Sequence, residues 1–218
     1  MPSPNAIKTY VENGYYHIYN RGVEKRLIFQ DREDYTKFLY LLKVYLSPPD
    51  ELGKEYPLLK AHIVHNNLFG EIDLLAFCLM PNHFHLLVKQ KSKQGITKLM
   101  EQVITAYSMH FNKRHERVGH LFQSRYKAAL VDSDEYLLHL SRYIHLNPVA
   151  RGVSLDEFEW SSYLYYLEKR KGHWLNIKII KGYFNDSKKE FSYKEFIEGH
   201  QTESELPNGL TMDSEQEI

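Results

Sequence analysis

His83 and His85 stand two residues apart in the run Leu74-Leu-Ala-Phe-Cys-Leu-Met-Pro-Asn-His-Phe-His-Leu-Leu-Val88, between apolar flanks that favour a strand. A strand alternates its side chains, so this spacing turns both imidazoles to one face. Two neutral imidazole nitrogens held on a stiff strand begin a divalent-metal site, which needs one or two further ligands and leaves positions open for a substrate oxygen. The same spacing also suits two histidines on the polar face of a half-buried strand, and the pair alone does not separate the readings. Further along, Tyr136, Leu140, Tyr143 and Asn147 recur at helical spacing and share one face, so a phenol and an amide oxygen can meet one target. A tyrosine hydroxyl is a weak nucleophile at its ordinary pKa of about 10. Beside a divalent cation that polarises a phosphate it can attack phosphorus and form a phosphotyrosine. Without the histidine pair, Tyr143 would read as a packing aromatic among 17 tyrosines.

The elements that must position these groups follow from periodicity. Residues 15–20 read as a first strand, and residues 32–46 as an amphipathic helix with Tyr35, Phe38, Leu39 and Leu42 on its apolar stripe, ended by Ser47-Pro-Pro-Asp50. Residues 62–65 and 72–80 read as strands; Pro81-Asn82 breaks the second before the His-Phe-His strand resumes through Val88. A second helix is expected over residues 96–111 and a strand over residues 126–131. Asp132-Ser-Asp-Glu135 reads as a capping box opening a third helix to about Leu146, because Pro148 disfavours helical geometry in the residue before it. This order predicts an α+β fold, a ferredoxin-like antiparallel sheet with helices packed against it. The boundary falls near Gly152: a main domain over residues 1–153, a C-terminal helical extension over 154–200 with Trp160 and Trp174 as packing residues, and an acidic disordered tail over 201–218.

Composition narrows the function classes. Of 218 residues, 43% are hydrophobic and 14% aromatic, which excludes a mainly disordered chain. No apolar run approaches the roughly 18 residues that span a bilayer, so no membrane partner is expected. The single cysteine, Cys78, forms no internal disulfide, and the N-terminus lacks the basic and apolar blocks of a secretory signal. A reducing cytoplasm is the expectation. The 28 basic and 28 acidic residues balance, yet residues 201–218 hold five acids (Glu203, Glu205, Asp213, Glu215, Glu217) and no lysine or arginine, so the rest carries an excess of five positive charges. Within residues 89–127, Lys89, Lys91, Lys93, Lys98, Lys113, Arg114, Arg117, Arg125 and Lys127 face only Glu101 and Glu116. A phosphate backbone would feel that local excess, though such a run also suits a solvated helix face.

Met80-Pro-Asn-His-Phe-His-Leu-Leu-Val88, followed by Tyr143-Ile-His-Leu-Asn-Pro-Val149, resembles the REP-associated tyrosine transposases, relatives of the single-tyrosine insertion-sequence transposases in the HUH endonuclease superfamily. Tyr16-His-Ile-Tyr-Asn-Arg-Gly22, Ile28-Phe-Gln-Asp-Arg-Glu-Asp34 and Gly119-His-Leu-Phe-Gln-Ser-Arg-Tyr-Lys127 add to the resemblance in the same order, over roughly residues 12 to 153. It implies His83 and His85 as metal ligands, Tyr143 as nucleophile, and the polar residue four positions later, Asn147, as a further ligand for Mg²⁺ or Mn²⁺. His145 lies on another helix face and reads as structural. The implied activity is cleavage of single-stranded DNA beside an imperfect hairpin through a 5′-phosphotyrosine, by a monomer or homodimer, with Arg21, Lys113, Arg114, Arg125 and Lys127 as candidate DNA contacts. A replication-initiator-like nickase, a non-catalytic regulator that binds hairpin nucleic acid, and a metal-dependent hydrolase without a covalent step are the rival expectations.

Overall fold

The computed structural model describes residues 9–59 and 64–199. Apolar segments with β-branched and aromatic residues form β1 (Tyr15–Arg21), β2 (Ile72–Met80), β3 (His83–Gln90) and β4 (Lys127–Val131), an antiparallel sheet in the order β2-β3-β1-β4. The helices in chain order are α1 (Arg32–Leu46), α2 (Pro49–Glu55), α3 (Gly95–Arg114), α4 (Asp134–Leu146) and the short α5 (Tyr163–Tyr166), α6 (Lys178–Lys181) and α7 (Tyr193–Glu198). With β1-α1-β2-β3-α3-β4 connectivity and this strand order, the fold is the ferredoxin-like α+β plan expected from the sequence.

Alternation gives the sheet two distinct faces. On one, Ile18, Leu79, Phe84, Leu86 and Val88 pack beneath α1 and α3 in a core that includes Phe38, Leu42, Val103 and Tyr107. Phe84 sits against Phe38 (ring centroids 5.1 Å) and Phe122 (5.9 Å). On the other, Cys78, Met80, Leu87 and Val131 meet Leu137, Leu140, Tyr143 and Ile144 of α4, together with Tyr163, Tyr166, Tyr193 and Ile197 from beyond Gly152. Residues 154–199 therefore contribute to the core. They also satisfy the backbone of the edge strand β2: the amide of Leu79 donates to the Trp160 carbonyl (2.9 Å), that of Ser162 to Phe77 (2.9 Å) and that of Asn176 to Leu74 (2.8 Å).

The β2–β3 hairpin is held at its tip. The Pro81 carbonyl accepts from the amides of Ile28 (2.8 Å) and Phe29 (3.0 Å), and Gly22 donates to the Asn82 carbonyl (2.9 Å). A Cβ on Gly22 would collide with the Arg26 carbonyl, so this close approach needs glycine. At the entrance of α1 the Asp31 carboxylate accepts from the amides of Glu33 (3.0 Å) and Asp34 (3.3 Å), an N-cap.

Several local expectations are corrected. Ser47-Pro-Pro-Asp50 does end α1, but Pro49 also opens α2, with Asp50 and Glu51 in its first turn, because proline suits the first helical position as well as it suits a break. Of the strand expected over residues 62–65, the first two residues lie outside the described residues, and Val64 and His65 are helical. At α4 the cap is one-sided: Ser133 Oγ accepts from the Tyr136 amide (3.2 Å), and Glu135, one position early, makes no reciprocal box. Of the helical extension expected over residues 154–200, the stretch after Trp160 forms only the single turn Tyr163–Tyr166, with Glu168 in the left-handed region at φ 58°. The tail expected over residues 201–218 lies outside the described residues. Among the described residues, no helix is long and apolar enough to cross a membrane.

Because the paired histidines flank Phe84, their face is decided by where that ring is buried. Phe84→Ala is expected to lower unfolding free energy by about 3–4 kcal/mol, read as a shifted urea midpoint.

Candidate functional site

The β1–β3 register sets Tyr19 opposite His85 and Arg21 opposite His83. His83 and His85 consequently share a face with His17 and Tyr19, at the end of the sheet that α4 crosses with its last turn. His83 and His85 have ring centroids 5.0 Å apart, nearly perpendicular. Tyr143 presents its ring edge-to-face to His85 at 5.4 Å and to His17 at 6.2 Å. Asn147, the C-cap of α4, places Oδ1 3.5 Å from His83 Nε2. The four residues singled out as nucleophile and metal ligands thus meet in one place within one chain.

Each histidine is oriented through its Nδ1. His83 Nδ1 is 2.7 Å from Asn82 Oδ1, which also accepts from Arg151 (3.3 Å). His85 Nδ1 is 2.8 Å from His17 Nε2, with the two rings stacked at 5.1 Å. Burial pushes the His17 pKa down to about 3. Burial also drives His85 well below its ordinary value, with the charges of His83, His17 and Arg21 adding to it. Both rings are accordingly neutral. If His85 donates from Nδ1 to His17, its Nε2 keeps a lone pair, and that buried nitrogen has no hydrogen-bond partner. An unpaired buried nitrogen on a ring oriented from behind is what a metal ligand requires.

Asn147 completes the fit. Its amide Nδ2 donates to the Tyr143 carbonyl (2.9 Å) and so turns Oδ1 toward His83. Asn147 keeps helical dihedrals (φ −47°, ψ −41°) although it precedes Pro148, with its backbone amide also bonded to the Tyr143 carbonyl (3.2 Å). The chain then leaves through one 3₁₀ turn closed by Gly152 in the left-handed region (φ 72°). Two donors on neighbouring positions of a hard cation, each at roughly 2.1 Å, stand about 3 Å apart, so the 3.5 Å between His83 Nε2 and Asn147 Oδ1 is compatible with a shared ion. Among the described residues no three His, Cys, Asp or Glu side chains converge, so the amide is the available third donor.

The candidate DNA contacts separate. Arg21 lies across from His83, and Lys127, paired with Tyr19 on β1, holds its ammonium 5.8 Å from that ring. Bonds from Val23 to the Leu121 carbonyl (3.0 Å) and from Gln123 to that of Arg21 (2.9 Å) bring the loop before β4, with exposed Arg125, to the same end of the sheet. Lys113 is exposed in the last turn of α3. Arg114 is engaged within the fold, its guanidinium meeting Asp31 (2.6 Å), Glu33 (3.1 Å) and the buried Asp34 (3.0 Å), which also takes His115 (3.0 Å). The basic run of residues 89–127 is not one surface: β3 and the 20-residue α3, about 30 Å long, carry Lys89, Lys91 and Lys93 to the far end of the sheet.

His17, Asn82 and Arg151 escaped the sequence reading. His17 is two residues from Tyr19 and so shares its face, but nothing in the chain reveals which strand lies beside it. His145 is fully buried, away from this site, with its pKa pushed down to about 3 by burial.

Residues 53–147 match the family described as transposase, IS200 like, a span that contains His83, His85, Tyr143 and Asn147 and ends at the last of them. No curated protein matches the chain. Among solved structures, a REP-associated tyrosine transposase bound to a REP hairpin is similar at a TM-score of 0.49, with 12% identity over 75% of this chain and 84% of that one. A putative transposase from Deinococcus radiodurans R1 is similar at 0.36, with 14% identity over 66% and 95%, and the tRNA(His) guanylyltransferase of Saccharomyces cerevisiae at 0.31, with 10% identity over 86% and 87%.

Proposed function

We propose that this chain, whose residues 53–147 match the IS200-like transposases, is a metal-dependent single-stranded DNA endonuclease and strand transferase that uses Tyr143 as its nucleophile. The observation that carries the reading is the meeting, in one chain, of the Tyr143 ring with His85 at 5.4 Å while Asn147 Oδ1 stands 3.5 Å from His83 Nε2. His85 Nε2, a buried imidazole nitrogen without a hydrogen-bond partner, has no structural reason to lie beside a tyrosine ring; a phosphoryl-transfer site needs a ligand nitrogen and a phenol side by side.

His83, His85 and Asn147 would hold a Mg²⁺ or Mn²⁺ ion, which when bound supplies positive charge to the phosphate oxygens and makes phosphorus more electrophilic. The chain's own residues do the rest. Tyr143 Oη forms a bond to phosphorus as the bond to the 3′ oxygen breaks. The electron pair leaves with that oxygen, and the proton given up by the phenol balances the one the leaving hydroxyl gains. The phosphotyrosine keeps the energy of the phosphodiester, so a 3′-hydroxyl attacking in turn reseals or transfers the strand without ATP. Asn82 and His17 keep the ligand rings in place, and Arg21, Arg125 and Lys127 hold the DNA backbone beside the phenol. The substrate we assign is single-stranded DNA beside a hairpin.

Purified protein incubated with end-labelled hairpin DNA from the flanks of its own gene is expected to form, in Mn²⁺, a covalent adduct on a denaturing gel that disappears in EDTA and in Tyr143→Phe. Binding to several such hairpins without any adduct would sink the nuclease reading in favour of a DNA-binding regulator, and cleavage surviving Tyr143→Phe would point to a hydrolase. His17→Ala is expected to weaken Mn²⁺ binding about 10- to 100-fold in calorimetry without DNA, the usual effect of removing a residue that orients a ligand. Lys127→Ala should weaken DNA binding and flatten the slope of log affinity against log salt by about one; an unchanged slope would remove Lys127 from the backbone contacts.

A further inference from the structure

Behind α4, on the side away from the sheet site, runs a continuous chain of buried polar groups. Ser141 Oγ donates to the Leu138 carbonyl (2.7 Å), and Tyr193 Oη donates to Ser141 Oγ (3.2 Å). Tyr193 Oη also lies 2.7 Å from His145 Nδ1, and His145 Nε2 lies 2.6 Å from Ser162 Oγ. Ser162 Oγ in turn accepts from the Phe77 amide on β2 (2.8 Å). The rings of Tyr166 (5.0 Å), Tyr163 (5.6 Å) and Tyr193 (5.8 Å) close around the imidazole, and Tyr166 and Tyr193 stack at 4.3 Å. His145 and Ser162 are fully buried.

We propose that His145 is a positioning residue for Tyr143: held between Tyr193 and Ser162, it fixes the rotation and depth of the last turn of α4 and thereby the aim of the phenol. The assignment of Tyr143 as nucleophile rests on the function proposed above; the bracing of the helix does not. His145 lies two residues past Tyr143, about 200° round the helix, so the turn is gripped on one side and presents the phenol on the other. Apolar side chains would fill the same space, but packing alone tolerates a helix sliding or rotating by a fraction of a turn. Directional bonds to Tyr193 of α7 and to Ser162, itself bonded to β2, do not. A neutral imidazole has one donor and one acceptor nitrogen, and in either tautomer every hydroxyl of the chain finds a partner, so the network closes with nothing left unpaired. Attack on phosphorus is sensitive to misplacement of about 1 Å, which gives such bracing a catalytic consequence.

Tyr193→Phe removes only the hydroxyl and keeps the ring packing, so it separates bracing from core volume. With saturating hairpin DNA and Mn²⁺, adduct formation is expected to slow about tenfold while DNA affinity stays unchanged. Amide hydrogen exchange should quicken over residues 141–147 and remain unaltered in β1 and β3. Ser141→Ala added to Tyr193→Phe should bring little further change, because both act on one chain of bonds. An unchanged rate, or a loss matched by equal loss of protection throughout the sheet, would overturn the proposal. If the wild type forms no adduct, the proposed function fails. Exchange then decides the bracing alone, and unaltered exchange over residues 141–147 in Tyr193→Phe overturns it.

Discussion

Everything at the site depends on which way one strand faces. β3 lies between β1 and β2, and strand side chains alternate, so burying Phe84 against Phe38 and Phe122 obliges His83 and His85 to occupy the opposite face. A slip of one residue would put both imidazoles into the aromatic core and Phe84 into the site. The register that prevents this also delivers Tyr19 and Arg21 opposite the two histidines. The bonds from Ile28, Phe29 and Gly22 to the Pro81-Asn82 turn hold the hairpin where that register begins.

A sheet in this plan leaves one face for helices α1 and α3 and the other for whatever the chain adds. Here α4 and residues beyond Gly152 cover the second face, converting it from a wet surface into an interior. Burial changes the chemistry available there. Imidazoles that would titrate near neutrality in water are kept neutral, and each needs partners for its polar nitrogens. His17 and Asn82 meet that need for one nitrogen of each paired histidine, while His85 Nε2 keeps none. His145, by contrast, has both nitrogens occupied. Hydrogen-bond accounting thus sets His145 apart from His17 and His85, which each leave one ring nitrogen, Nδ1 and Nε2 respectively, without a partner.

The charge distribution follows a similar logic. Arg114 belongs to a basic stretch in the sequence, yet it lies where α3 meets the start of α1, beside Asp31, Glu33 and Asp34. Its guanidinium is engaged by these carboxylates at the start of α1. Arg21 and Lys127, separated by more than a hundred residues, instead converge on the same end of the sheet through strand pairing.

The sequence by itself determined the parts governed by short-range periodicity. Apolar, β-prone runs marked β2 and β3, the 3.6-residue repeat located α1 over Arg32–Leu46, and spacing placed His83 with His85 on one strand face and Tyr143 with Asn147 on one helix face, while only the family resemblance joined the two pairs. Turn chemistry was ambiguous where one residue serves two purposes, as Pro49 does in ending one helix region and opening another. Only the tertiary structure decided that His17 stands behind His85, that Arg114 is spent on carboxylates, that the basic run divides between two ends of the sheet, and that residues near Ser162 and Tyr193 brace the tyrosine helix. These are relations between residues remote in the chain. Strand register and the packing of covering segments set them, and neither leaves a periodic mark in the sequence.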